Sequence, residues 1–233
     1  MKLFFQADSF RTVSFDLDGV LVQRPITIAS WYDFVVETVI DYARLDREEA
    51  VRFLASHGID GNGKQSQGSL TLAMIELGFS REAWNKFKTD SFDYGKYFLP
   101  NPDLVESVQR LKSISDVIVV SNNTHGAVRR SLDATGFPKD TFSYIAAYEP
   151  NTGHTSEVDK YAPYLSASGR SFKDVVALGD KFDNDIAPVL NQGGSGILVE
   201  DYSETVGICD MLCRKLRGEA SSGGIYKRED APF

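Results

Sequence analysis

The chain has 233 residues, of which 42% are hydrophobic and 25% are charged, and its formal net charge is −8. This composition is typical of a globular protein and argues against a disordered chain or a repetitive fibre. The negative charge disfavours nonspecific binding to nucleic acid or to an anionic membrane, because such binding depends on lysine and arginine. The apolar segments are too short for a signal-peptide core or a membrane span, so we expect a cytoplasmic protein.

Three short apolar segments are predicted to be strands, and each one ends at polar residues. These strands are 12–15 before Asp16, 117–120 before Ser121, and 175–178 before Gly179 and Asp180. Predicted helices separate them, which favours right-handed crossovers and a mostly parallel sheet covered on both faces. Because ligands of such sheets bind where the strands end, we expect the three polar segments to converge in one crevice.

A helical insertion is predicted between the first two strands. Its predicted helices are 27–43, 47–56, 69–77 and 81–88. The polar, glycine-rich segment 58–68 between them is predicted to be a loop. We therefore expect an α/β core formed by residues 1–22 and 99–216, an inserted helical domain at 23–98, and a loosely attached tail at 217–233.

The first polar segment, Asp16-Leu17-Asp18-Gly19, offers two groups suited to phosphoryl transfer. A carboxylate such as Asp16 can attack phosphorus and form an aspartyl-phosphate, which divides one difficult displacement into two easier ones. Asp18 could protonate the departing alkoxide and later deprotonate the attacking water. Gly19 would permit the tight turn that brings both acids into one crevice. In isolation, however, such a motif is also common in ordinary turns and helix caps.

The other polar segments offer groups that could bind a metal ion and a phosphate. Asp180 and Asp185 are candidate ligands for Mg²⁺, which prefers carboxylate and phosphate oxygens. Ser121 and Asn122 could bind a phosphate at the start of a helix, and Lys160 could neutralise its charge. Each segment also has a structural interpretation, as an acidic turn, a helix cap or a solvated lysine. Their order along the chain, each beside a strand end or a helix start, favours a common site.

From Phe10 to about Glu200 the sequence resembles the haloacid dehalogenase superfamily. The resemblance rests on four motifs: Phe15 to Val22, Ser121-Asn122, Lys160, and Gly179-Asp180 through Asn184-Asp185. It implies a Rossmann-like three-layer α/β core with a mostly parallel sheet, and an inserted α-helical cap of the C1 type. It also implies that Asp16 is the nucleophile and Asp18 the acid and base. Mg²⁺ would be held by Asp16, the Asp18 carbonyl and Asp180, with Asp185 assisting.

Two positions depart from the pattern of the superfamily. Lys160 is followed by Tyr161-Ala162-Pro163, whereas many relatives have proline directly after the lysine. Asn123 stands where glycine is common after Ser-Asn. Neither departure removes a group that the chemistry requires.

The residues and the resemblance together predict a magnesium-dependent hydrolase of small phosphate monoesters that acts through a phosphoaspartyl intermediate. Its expected partner is a small phosphorylated metabolite. A phosphomutase has the same four motifs and remains an alternative, as does a non-catalytic phosphate-binding or signalling protein. A dehalogenase needs no acid for its leaving group and lacks the second aspartate, so Asp18 argues against that activity.

Several other residues are predicted to be structural. Cys209 and Cys213 have a spacing that places them on one face of a helix, as buried free thiols. Trp31, Tyr32 and Phe34 are predicted to pack in a core rather than to stack on a substrate. The three histidines show no metal-ligand spacing.

Overall fold

The computed structural model describes residues 1–6, 9–59, 70–148 and 157–219. Most of the predicted loop at 58–68 and of the predicted tail at 217–233 lies outside these residues, as does His154. The chain divides into two compact units, one formed by Arg24–Phe98 and the other by the segments on either side of it. Among the described helices, none combines the length and the apolar character needed to cross a lipid bilayer.

In its described residues, the smaller unit contains helices joined by short turns and no strand. Its helices are α1 (Arg24–Ala43), α2 (Arg47–Ser56), α3 (Leu70–Glu76), α4 (Arg81–Ser91) and α5 (Tyr94–Tyr97). Helix α2 begins at a capping box in which Asp46 and Glu49 each bind the backbone N–H of the other. Trp31 contacts the rings of Trp84 and Phe92, and Phe34 contacts the ring of Phe92. With Tyr32, both residues pack against the buried core of this unit. The prediction that these aromatic residues belong to a core is therefore confirmed.

The larger unit contains one six-stranded sheet with the order β1-β6-β5-β2-β3-β4. The strands are β1 (Lys2–Phe4), β2 (Thr12–Phe15), β3 (Asp116–Thr124), β4 (Tyr144–Tyr148), β5 (Val175–Gly179) and β6 (Ser195–Leu198). Only β1 pairs in the antiparallel direction, with β6. Every residue of β2 and β5 is buried, as expected for parallel strands covered on both faces. The predicted Rossmann-like α/β core with a mostly parallel sheet is confirmed.

Helices of the same unit cover this sheet. They are α6 (Pro102–Lys112), α7 (His125–Ala134), α8 (Glu157–Ser168), α9 (Ala187–Asn191) and α10 (Glu204–Leu216). Cys209 and Cys213 lie buried on α10 as free thiols, which confirms that prediction. The predicted end of the second strand at Val120 is wrong, because β3 continues to Thr124, where it pairs with Tyr148 of β4 after an irregularity in register.

Helix α8 is attached to β2 by two buried pairs of hydroxyl groups. The Tyr161 hydroxyl lies 2.8 Å from Ser14 Oγ, and the Tyr164 hydroxyl lies 2.8 Å from Thr12 Oγ1. Thr12 and Ser14 share one face of the strand, while the two tyrosines lie one turn apart on the helix. Their rings also join the core beneath the helix. These contacts fix the position of α8 along β2, the strand that precedes Asp16.

Candidate active site

The register of three adjacent strands brings their polar ends to one edge of the sheet. Phe15, the last residue of β2, pairs with Val119 on β3 and with Leu178 on β5. The backbone N–H of Asp16 donates to the Leu178 carbonyl over 2.8 Å, which extends this pairing by one residue. Asp16 therefore lies level with Val120 on β3 and Gly179 on β5. The predicted convergence follows from this register.

Three carboxylates form a cluster at this edge. Asp16, Asp180 and Asp185 are partly buried, and one oxygen of each lies within 4.8 Å of the others. Oxygens bound to a single Mg²⁺ lie up to about 4.2 Å apart, since each metal–oxygen bond is about 2.1 Å long. One such ion could therefore bind two of these carboxylates directly and the third directly or through water.

Two glycines leave the space that the carboxylates occupy. Gly19 has a φ of +86°, and a Cβ there would lie 2.6 Å from Asp180 Oδ2. A Cβ on Gly179 would overlap the side chain of Asp185. Gly19 thus provides the predicted tight turn and also the room for a second acid. Any larger residue at either position would displace a member of the cluster.

Asp185 is held by the local backbone. It lies in a single turn of π-helix, Phe182–Ile186, a distortion that is frequent at functional sites. The backbone N–H of Lys181 donates to Asp185 Oδ2 over 2.9 Å. Ile186 is fully buried and anchors the end of this turn in the core. The carboxylate consequently has a defined direction.

The cluster is electrostatically strained when no cation is bound. Burial raises the pKa of the Asp16 carboxyl well above its usual range, and the negative charges of Asp185 and Asp18 raise this pKa further. A divalent cation would offset both the repulsion and the loss of hydration. The donor set consists of hard oxygen atoms, so its chemistry fits Mg²⁺.

The remaining predicted residues, which are Asp18, Ser121, Asn122 and Lys160, take part in two sets of hydrogen bonds at the same edge of the sheet. Lys160 Nζ donates to Asn122 Oδ1 over 2.5 Å, and this lysine is only 6% exposed. Asn123 Nδ2 donates to Asp18 Oδ2 over 2.8 Å, and the backbone N–H of Asn123 donates to the buried Ser121 Oγ over 3.2 Å. Asn122 is thus hydrogen-bonded to Lys160, whereas Ser121 and Asp18 are each hydrogen-bonded to Asn123. Asn123 was not a predicted site residue, although its departure from the common glycine was the available signal.

The sequence matches no family model, and it matches no curated protein. Similarity is instead found among solved structures. A HAD phosphatase from Thermococcus onnurineus superposes with a TM-score of 0.59 and 16% identity, over 81% of this chain and 86% of that one. A haloacid dehalogenase-like hydrolase from Xanthomonas campestris superposes with a TM-score of 0.53 and 19% identity, over 91% of this chain and 95% of that one. A β-phosphoglucomutase from Clostridium difficile superposes with a TM-score of 0.51 and 14% identity, over 90% of this chain and 98% of that one.

The chain has the haloacid dehalogenase fold. The fold that the resemblance implies is therefore confirmed. Because a phosphatase and a mutase share the haloacid dehalogenase fold, the fold alone does not select the reaction.

Replacement of either glycine by alanine should weaken divalent-cation binding. We expect Gly19→Ala and Gly179→Ala to lower Mg²⁺ affinity at least about tenfold in calorimetric titration, because each new methyl group displaces a carboxylate from its ligating position. Gly207→Ala is the matched control, since it adds the same methyl group on α10 with no atom within 4 Å. Equal Mg²⁺ affinity in all three variants would contradict this role of the two glycines.

The metal-free protein should be stabilised by Asp16→Asn at neutral pH. The folded-state pKa of Asp16 is raised, so its contribution to stability is greatest below the ordinary aspartate pKa and is lost as the pH rises through the raised value. Thermal unfolding in EDTA should show a higher Tm for the variant at neutral pH, by about 2–4 °C for each kcal/mol relieved. This difference should vanish in acid.

The matched control for this measurement is Asp183→Asn, which changes an exposed aspartate on the same segment. It should leave Tm nearly unchanged at both pH values. A lower Tm for Asp16→Asn at neutral pH, or a difference that does not depend on pH, would show that the cluster is not strained.

Proposed function

We propose that the protein is a haloacid dehalogenase superfamily enzyme, a magnesium-dependent hydrolase of small phosphate monoesters, with Asp16 as the nucleophile. The observation that carries this proposal is the cluster of Asp16, Asp180 and Asp185, together with the buried Lys160 and its hydrogen bond to the exposed Asn122. Negative groups to hold a cation and a positive group to hold an anion thus occur at one edge of the sheet. A phosphate monoester bound through a divalent cation needs both.

The proposed metal site consists of Asp16, Asp180 and the backbone carbonyl of Asp18, with Asp185 as a direct or water-mediated ligand. The geometric support is the mutual approach of the three carboxylates. When bound there, Mg²⁺ would neutralise part of the charge on the phosphoryl oxygens and orient the group for in-line attack.

In the proposed reaction, a carboxylate oxygen of Asp16 attacks phosphorus as the bond to the ester oxygen breaks. Asp18 donates its proton to the departing alkoxide, which leaves as an alcohol. Asp18 then removes a proton from a water molecule as that water attacks the phosphorus of the aspartyl-phosphate. The acyl phosphate bond breaks, inorganic phosphate departs, and Asp16 is again a carboxylate.

Three further residues are proposed to bind the phosphoryl group. Lys160 is buried beside Asn122, so its ammonium group is held in one direction and would act as a fixed positive charge. Ser121 provides a buried hydroxyl on β3. Positioned charges and dipoles of this kind contribute most of the catalysis of phosphoryl transfer.

The substrate is proposed to be a small phosphorylated metabolite of the cytoplasm, and the helical unit Arg24–Phe98 is proposed to act as a C1-type cap that selects it. A phosphomutase remains the second candidate, because the similar β-phosphoglucomutase shares this fold. A mutase transfers the phosphoryl group to a second substrate hydroxyl and excludes water. The two activities are distinguished by the product.

The proposal is tested with a panel of phosphate monoesters, including sugar phosphates, nucleotides and phosphoglycolate. We expect release of inorganic phosphate that requires Mg²⁺ and falls at least about 1,000-fold in Asp16→Asn, because the nucleophile is lost. Asp183→Asn is the control and should retain activity. Turnover that survives in Asp16→Asn would overturn the assignment of the nucleophile, and formation of an isomeric phosphate ester without free phosphate would favour the mutase.

A further inference from the structure

Asn123 connects β3 to the proposed acid and base. Its side-chain amide Nδ2 donates to Asp18 Oδ2 over 2.8 Å, although the two residues are 105 positions apart in the sequence. The same amide nitrogen lies 3.4 Å from Ser121 Oγ, at the limit of a hydrogen bond. Asn123 is partly buried. The contact with Asp18 is thus specific and well formed.

The continuation of β3 to Thr124 explains why Asn122 and Asn123 have different partners. Successive side chains in an extended segment point to opposite sides. Asn122 therefore binds Lys160, while Asn123 lies on the side of Asp18. Pairing of Thr124 with Tyr148 of β4 fixes this segment beyond Asn123.

A hydrogen bond from an amide suits the orientation of a carboxylate that transfers protons. By binding Oδ2, Asn123 limits rotation of the Asp18 carboxyl group and so fixes the direction of Oδ1. A side-chain amide donates a hydrogen bond without giving up its proton, so it orients the acid without competing for the transferred proton. Misplacement of a reacting group by about 1 Å can lower a rate on the order of 100-fold.

We propose that Asn123 is a positioning residue that orients Asp18 for protonation of the leaving group. This inference rests on the proposed hydrolase function and adds to it a residue outside the four motifs. It predicts a specific defect: loss of Asn123 should affect substrates with poor leaving groups more than substrates with good ones. A good leaving group departs as an anion and gains little from an acid.

The experiment compares 4-nitrophenyl phosphate with phenyl phosphate, which have a similar shape but a good and a poor leaving group. The kcat/KM for 4-nitrophenyl phosphate is divided by the kcat/KM for phenyl phosphate. This ratio is measured with Mg²⁺ for the wild type, Asn123→Ala, Asn123→Asp and Asp18→Asn. Both substrates are tested on the same preparation, so any loss of folded protein cancels in the ratio. Asn123→Asp preserves the size of the side chain while removing the donor. Asn191→Ala is the control, because it removes an exposed amide at the end of α9.

We expect the ratio to rise by about tenfold in both Asn123 variants, a part of the 100- to 10,000-fold that a positioned general acid typically contributes. Asp18→Asn should raise it further. The double variant Asn123→Ala with Asp18→Asn should match Asp18→Asn alone, because Asn123 acts through Asp18. The ratio in Asn191→Ala should equal that of the wild type.

Other outcomes separate the two proposals. If the wild type shows magnesium-dependent turnover but both Asn123 variants keep its ratio, the positioning role is wrong and the hydrolase function stands. The same conclusion follows if Asn123→Ala raises the ratio as much in the absence of the Asp18 carboxylate. If the wild type hydrolyses neither ester and no member of the wider panel, the hydrolase function fails, and the role of Asn123 fails with it.

Discussion

Mutual repulsion among carboxylates at one edge of a parallel sheet is the constraint on which the site depends. Asp16, Asp180 and Asp185 bring their oxygens within 4.8 Å of one another in a partly buried position. Without a cation this arrangement opposes folding, as the raised pKa of Asp16 indicates. Other features of the fold maintain it: the register of β2 with β5, the two glycines, and the π-helical turn before α9. Such strain is typical of sites where function takes precedence over stability.

A second layer of contacts places the neutral and basic groups around these acids. The extended end of β3 directs Asn122 toward Lys160 and Asn123 toward Asp18. Helix α8, which carries Lys160, is attached to β2 through the hydroxyl of Tyr161. Tyr161 occupies the position where many relatives have proline, so the departure seen in the sequence adds a contact between α8 and β2. Strand β2, which precedes Asp16, therefore also fixes the helix that bears the lysine.

The sequence predicted the central strands and the cluster because both follow from local patterns. Strands β2 and β5 are apolar segments that end abruptly at acids, and helix α2 is bounded at Arg47 by its capping box. Strands β1, β4 and β6 were not predicted. Strand β1 has only three residues and β6 includes a glycine, so tertiary pairing rather than local preference determines them. Asn123 was missed because its partner is distant in the chain: the departure from the common glycine marked the position but did not reveal the contact with Asp18.

The central claim is that one divalent cation binds among the three carboxylates, and crystallography with Mn²⁺ as a substitute for Mg²⁺ tests it most directly. Anomalous scattering locates manganese independently of the protein density. We predict one strong anomalous peak, from a manganese ion bound to oxygens of Asp16 and Asp180, with Asp185 bound directly or through water. A peak elsewhere in the molecule, or none between these carboxylates at saturating Mn²⁺, would contradict it.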